Sequence, residues 1–97
     1  MNKFKIFVPS ETEILGLRIK VRLKKNLKFE GVRVNGLAHN ALGLIDLLST
    51  NCKAMLEGTY YHKIVHQILY SLEYERLNNN EKFVQGLSAG IYQVLKT

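Results

Sequence analysis

A single cysteine, Cys52, and a single proline, Pro9, are the scarcest features of this 97-residue chain, which also has no tryptophan. One thiol forms no internal bridge, so a small secreted scaffold stapled by disulfides is excluded and a reducing cytoplasm is the expected compartment. No window approaches about eighteen uninterrupted apolar residues, and the stretch from Met1 to Lys5 runs into Pro9 and Glu11 before a leader's apolar segment forms. No membrane contact is expected. Repeats, low-complexity tracts and internal linkers are missing too. With 46% hydrophobic and 23% charged residues, the chain has ordinary globular composition and length for one core, so residues 1–97 are read as one domain.

Acidic residues are few: eight, against fourteen Lys and Arg, for a net charge of +6. The imbalance lies in residues 1–33, which hold nine basic and three acidic residues, while the remainder is balanced at five of each. Such a patch, with Arg18, Lys20 and Arg22 on one strand face, fits an acidic protein surface or a nucleic acid. It equally fits a solvated strand face whose lysines discourage edge pairing. Neither a helix-turn-helix pattern nor a basic recognition helix can be placed.

From Leu17 to Leu23 apolar and basic residues alternate strictly, the signature of a half-buried strand. Phe29–Val34 reads as a second short strand, Asn35-Gly36 as the strongest turn signal, and Leu42–Leu48 as a buried strand, which predicts an antiparallel arrangement. Ser49, Thr50 and Asn51 are capping-type residues ahead of a segment with Met55, Leu56, Ile64, Val65, Ile68, Leu69 and Leu72 at helical spacing. Gly58 leaves the start of that helix open between Lys53 and Tyr60. Asn78–Asn80 breaks the pattern, which resumes at Phe83, Val84, Leu87, Ile91, Val94 and Leu95. The expected fold is α+β: a small antiparallel sheet from strands within about 4–48, followed by two packed helices at about 53–76 and 80–96.

Two of the three histidines, His62 and His66, stand four apart on the first helix. They lie about 40° apart around the axis and about 6 Å along it, so both imidazoles can face one point, as metal ligands do. The plainer reading of such a pair is structural.

His62-Lys63-Ile64-Val65-His66 resembles the HExxH zinc helix of metallopeptidases with its second residue altered. The surrounding chain is similar to small phage- and prophage-encoded zincin-type proteins, most closely from Tyr60 to Lys96 and more weakly over the ILGLRIKV and LGLIDLL stretches. The resemblance implies a zincin-like minimal domain with zinc as its cofactor. It also implies a third ligand from the following helix, where Glu81 stands in the matching place. Two imidazoles and one carboxylate leave a fourth position for water, as in catalytic zinc sites. Glu81 is also simply an acid favourable to a helix N-terminus. Glu73 shares the face of His66 but lies about 10 Å along the axis, too far for one ion, and reads as a surface residue or a contact beyond the ligands. Asp46 and His39 are candidates to orient a ligand imidazole, or are plain strand and turn polarity.

Lys63 occupies the place of the general base. A protonated ammonium has no lone pair to take a proton from a zinc-bound water, so hydrolysis fails at that step. A dication about 5 Å away would repel it by about 6 to 7 kcal/mol at an effective dielectric of 20. Three arrangements remain open: a lysine with a strongly depressed pKa acting as base, zinc held without hydrolysis, or an ammonium replacing the ion and pairing with Glu81 or Glu73. The leading expectation is a catalytically impaired metallopeptidase homologue that acts by binding an unidentified protein. The alternatives are an active zinc metallopeptidase and a small basic interaction or inhibitor protein.

Overall fold

The computed structural model describes residues 8–97, so residues 4–7 of the expected strand region, and Lys3 and Lys5 of the basic cluster, lie outside the described residues. Strands β1 (Glu11–Ile14) and β2 (Leu17–Lys24) form a hairpin. Its two loop residues, Leu15 and Gly16, both have positive φ (51° and 85°), as a two-residue loop matched to the twist of the strands requires. The alternation of β2 is realised in its middle, where Ile19 and Val21 are buried while Arg18, Lys20 and Arg22 face out, whereas Leu17 and Leu23 at its ends are exposed.

The segment expected as one strand over Phe29–Val34 is instead a second hairpin, β3 (Lys28–Phe29) and β4 (Val32–Arg33). It turns at Glu30-Gly31, again with two positive φ values (52° and 81°). Asn35-Gly36 is not that turn. Gly36 opens β5 (Gly36–His39), opposite Leu47, where an added Cβ would lie 2.6 Å from Thr59 Cγ2. The glycine there permits close approach of a helix to the sheet. A 3-10 turn at Asn40–Leu42 and a left-handed Gly43 lead into β6 (Leu44–Leu48).

The sheet order is β1-β2-β6-β5, and it is mixed: β6 runs antiparallel to β5 but parallel to β2. The expectation of a purely antiparallel sheet is corrected here. The chain passes through β3, β4 and β5 before returning to β2, and such an indirect return permits parallel pairing. The inner face presents Ile19, Val21, Ile45 and Leu47 to Leu56 and Tyr60 of α1 (Lys53–Ser71). Each such aliphatic side chain contributes roughly 1.5–3 kcal/mol on leaving water.

Helix α1 begins at Lys53 and runs through Gly58 without interruption. Its N-cap is Cys52, not one of the three polar residues before it; Asn51 Nδ2 instead donates to Asn35 Oδ1 at 3.1 Å. It also ends earlier than periodicity predicts. The amide of Glu73 (φ +63°) donates to Tyr70 O and that of Tyr74 to Leu69 O, the crossed bonds of a Schellman motif, so the helix stops at Ser71. A single turn, α2 (Glu75–Asn78), precedes α3 (Glu81–Lys96), whose cap Asn80 accepts from the Phe83 amide at 3.0 Å. Val84 of α3 packs against Val65 and Leu69 of α1. Phe83, Leu87, Ile91, Val94 and Leu95 of the same helix are exposed. Strands followed by two long packed helices make the protein α+β, as its sequence pattern predicts.

Candidate metal centre

His62 and His66 project from successive turns of α1, with ring centroids 5.0 Å apart. The short α2 and the Asn80 cap reverse the chain, and the contact of Val84 with Val65 and Leu69 holds α3 against α1. That packing brings Glu81, the first residue of α3, to both rings. His62 Nε2 lies 3.1 Å from Glu81 Oε1, and His66 Nε2 lies 3.0 Å from Glu81 Oε2. The three residues each offer one donor within 4.8 Å of the others. The imidazoles are largely buried while the carboxylate is 68% exposed, so the cluster sits at the surface end of the helix pair.

The second nitrogen of His66 determines what this cluster can hold. His66 Nδ1 is 2.6 Å from Asn78 Oδ1, so with the amide oxygen as acceptor Nδ1 carries the proton and donates. A neutral ring then has a bare lone pair at Nε2, aimed at a carboxylate oxygen that is also only an acceptor. Two acceptors at 3.0 Å are satisfied by a cation between them, or by a second proton that makes the ring an imidazolium. An imidazole that donates from one nitrogen to a fixed acceptor and presents the other to a shared point has the arrangement of a metal-ligating histidine. Zinc ligands about 2.0–2.2 Å from the ion are separated by about 3.3 Å in a tetrahedron; the two nitrogen–oxygen distances here run to different carboxylate oxygens, and one donor atom from each residue lies within 4.8 Å of the others, so the side chains would close in slightly around an ion. The donor set of two imidazoles and a carboxylate fits zinc.

Burial pushes the pKa of His62 down; Lys63 and His66 act in the same direction, while Glu81 and a hydrogen bond to Gln85 oppose them. The net effect favours the neutral form that a ligand requires. Burial also lowers the Lys63 pKa, against the pull of Glu81. Lys63 and His62 line a cleft of about 610 Å³ between α1, α3 and the start of β5, together with Asn35, Gln85, Ser88 and Tyr92. Among the described residues Lys63 makes no ion pair, because the Glu81 carboxylate is taken by the imidazoles. The arrangement in which the lysine pairs with Glu81 or Glu73 is therefore corrected. At the far end of the cleft, the Tyr92 hydroxyl donates to the buried carboxylate of Glu57 at 2.5 Å, and its ring stacks on Tyr61.

The other candidates stand elsewhere. Ile45 and Leu47 face α1, so Asp46 between them faces the opposite side of the sheet. There it accepts two hydrogen bonds from Arg22, at 2.8 and 3.1 Å, and lies 3.2 Å from His39 Nε2. Neither Asp46 nor His39 is the partner of His62 or His66; the side chain at His66 Nδ1 is that of Asn78. No signal in the sequence marks Asn78 for that role, because the contact depends on how α2 folds back. Glu73 is exposed and terminates α1. The basic strand face is partly matched: Arg22 is bound to Asp46, Arg18 lies 3.9 Å from Glu11, and Lys20 stands opposite Glu11 in the β1–β2 register.

Comparisons of the chain with protein-family models, with curated proteins and with solved structures find no match. Among the described residues, no helix is long and apolar enough to cross a membrane.

Proposed function

We propose that this is a zincin-like domain, of the kind small phage- and prophage-encoded proteins carry, in which His62, His66 and Glu81 hold zinc. In this reading it acts in the cytoplasm by binding an unidentified protein, not by hydrolysing peptides. The observation that carries the reading is the convergence of both imidazole Nε2 atoms on one carboxylate, at 3.1 and 3.0 Å, with His66 turned by Asn78. When bound, zinc would supply Lewis acidity at the end of the cleft. The residue beside it that would have to accept a proton is Lys63, whose ammonium has no lone pair. The depression of its pKa by burial is opposed by Glu81. Zinc that joins two helices has a second consequence, since a metal bound only by the folded state stabilises a domain this small.

The test is metal analysis of the purified protein and of His66→Ala and Glu81→Ala, with a peptidase assay on the wild type and on Lys63→Glu. Stoichiometric zinc in the wild type, lost in both ligand variants, with no hydrolysis by the wild type, is the expected result. Zinc-dependent peptide cleavage by the wild type would overturn the binding role. Zinc content unchanged by Glu81→Ala would overturn the ligand set.

A further inference from the structure

Lys63 is a partly buried ammonium that makes no ion pair among the described residues, and it lines the same cleft as the ligand His62. A cation withdrawn from water is costly unless an anion meets it. The one carboxylate that acts on Lys63 electrostatically, Glu81, is held by two imidazoles. On the metal reading proposed above, on which this inference rests, the imbalance is larger. A dication, one carboxylate and the ammonium leave the end of the cleft with a net charge of two positive units. The cleft itself, at about 610 Å³, is of the size that takes a small molecule or a few residues of a peptide.

The rest of the lining narrows the choice of anion. Lys63 is the one Lys or Arg among the residues that line the cleft, and its polar company is amide and hydroxyl: Asn35, Gln85, Ser88 and Tyr92. A phosphate, with up to two charges, is typically met by guanidinium forks or several cations, and although Ala54 and Met55 bring the first turn of α1 to the lining, the cleft holds one ammonium and no arginine. A single ammonium beside a metal matches a carboxylate, which has one charge and two oxygens to divide between them. We infer that the cleft binds a carboxylate-bearing ligand, with Lys63 as its counter-ion at the place where a peptidase would keep its base. Substitution of a base by an ammonium thus changes the task of the position, from water activation to anion capture.

The experiment is a chemical-shift titration of the protein as isolated with N-acetyl-trialanine as the free acid, with the same tripeptide as the C-terminal amide, and with succinate. It is run on the wild type, Lys63→Met and Lys63→Arg, with zinc content measured on each sample. The free acid is expected to bind the wild type at least about tenfold more tightly than the amide, equivalent to about 1.4 kcal/mol. Lys63→Arg should keep the preference and Lys63→Met should lose it. A tripeptide acid tighter than succinate identifies a chain terminus as the source of the carboxylate, and the reverse order identifies a free small acid. Equal affinities for acid and amide in the wild type, or a preference undiminished in Lys63→Met, would overturn the inference. The two readings fail separately. Stoichiometric zinc without the acid preference removes carboxylate capture alone, whereas the acid preference without zinc removes the metal centre and leaves a cationic cleft.

Discussion

In the proposed zinc site Asn78 would contribute no ligand atom, yet its oxygen, accepting from His66 Nδ1, would leave Nε2 as the nitrogen free to bind. Loss of such a partner typically weakens metal affinity about 10- to 100-fold, because the ring is free to rotate and to change tautomer. Asn78→Ala is expected to lower zinc affinity by at least about tenfold in competition with a chromophoric chelator, with an unchanged far-ultraviolet spectrum, while Asn78→Asp retains binding. Asp46 makes a different case. Burial by itself would raise its pKa, but hydrogen bonds from Arg22 and His39 outweigh burial and hold the carboxyl below its ordinary value. A carboxylate whose folded pKa is depressed stabilises the fold fully above the unfolded value of about 3.9 and loses that contribution as pH falls through the folded one. Asp46→Asn is therefore expected to cost about 1.5 to 3 kcal/mol in urea unfolding at pH 7, with the gap from wild type narrowing below about pH 4. A gap that persists unchanged into acid would show that charge is not what Asp46 contributes.

Among the secondary-structure elements, the end of α1 contains an avoidable strain. Glu73 adopts φ +63° at the position of a Schellman motif where glycine is commonest. A side chain in that region costs roughly 1–2 kcal/mol, partly offset by the extra freedom glycine brings to the unfolded chain. Glu73→Gly is expected to stabilise the protein by about 0.5 to 1 kcal/mol, a rise of about 2 to 8 °C in Tm, without altering zinc content. A fall in stability would mean that the carboxylate has a role beyond ending the helix. The same region explains why strand and helix boundaries were only partly legible. Periodicity continues to Leu72, but the reversal that stops α1 is made by backbone bonds at Glu73 and Tyr74, residues with no conventional stop signal. Likewise the turn at Glu30-Gly31 falls inside the stretch Phe29–Val34 that was expected to be one strand, and Gly36, expected in a turn, opens β5 and is required by Thr59 on a helix more than twenty residues away.

For the molecule as a whole, zinc held as proposed by His62, His66 and Glu81 would join α1 to α3 at the end where their reversal occurs, so its occupancy and the stability of the helix pair would be linked. A ligand that binds only the folded state at 100 times its Kd stabilises by about 2.7 kcal/mol. Chelation is therefore expected to lower Tm by about 10 to 20 °C for a domain of this size, and zinc should restore it. His66→Ala should start at the low value and respond to neither treatment. A wild-type Tm indifferent to chelator would contradict the linkage.

The alternation from Leu17 to Leu23, the helical spacing after Met55 and the four-residue step from His62 to His66 each lie within a few turns of chain. Local geometry alone therefore specifies a half-exposed strand, an amphipathic helix and two imidazoles on one face, and these were readable before any fold was known. Which strands became neighbours was not, because the parallel pairing of β2 with β6 depends on β3, β4 and β5 intervening between them. Nor was the meeting of Glu81 with the two rings. It requires Val84 to lie against Val65 and Leu69 and Asn80 to start α3 where it does, contacts between separate helices. Burial of apolar surface selects those contacts over the whole chain at once, so packing of α1 on α3 decided whether scattered donors would become a site.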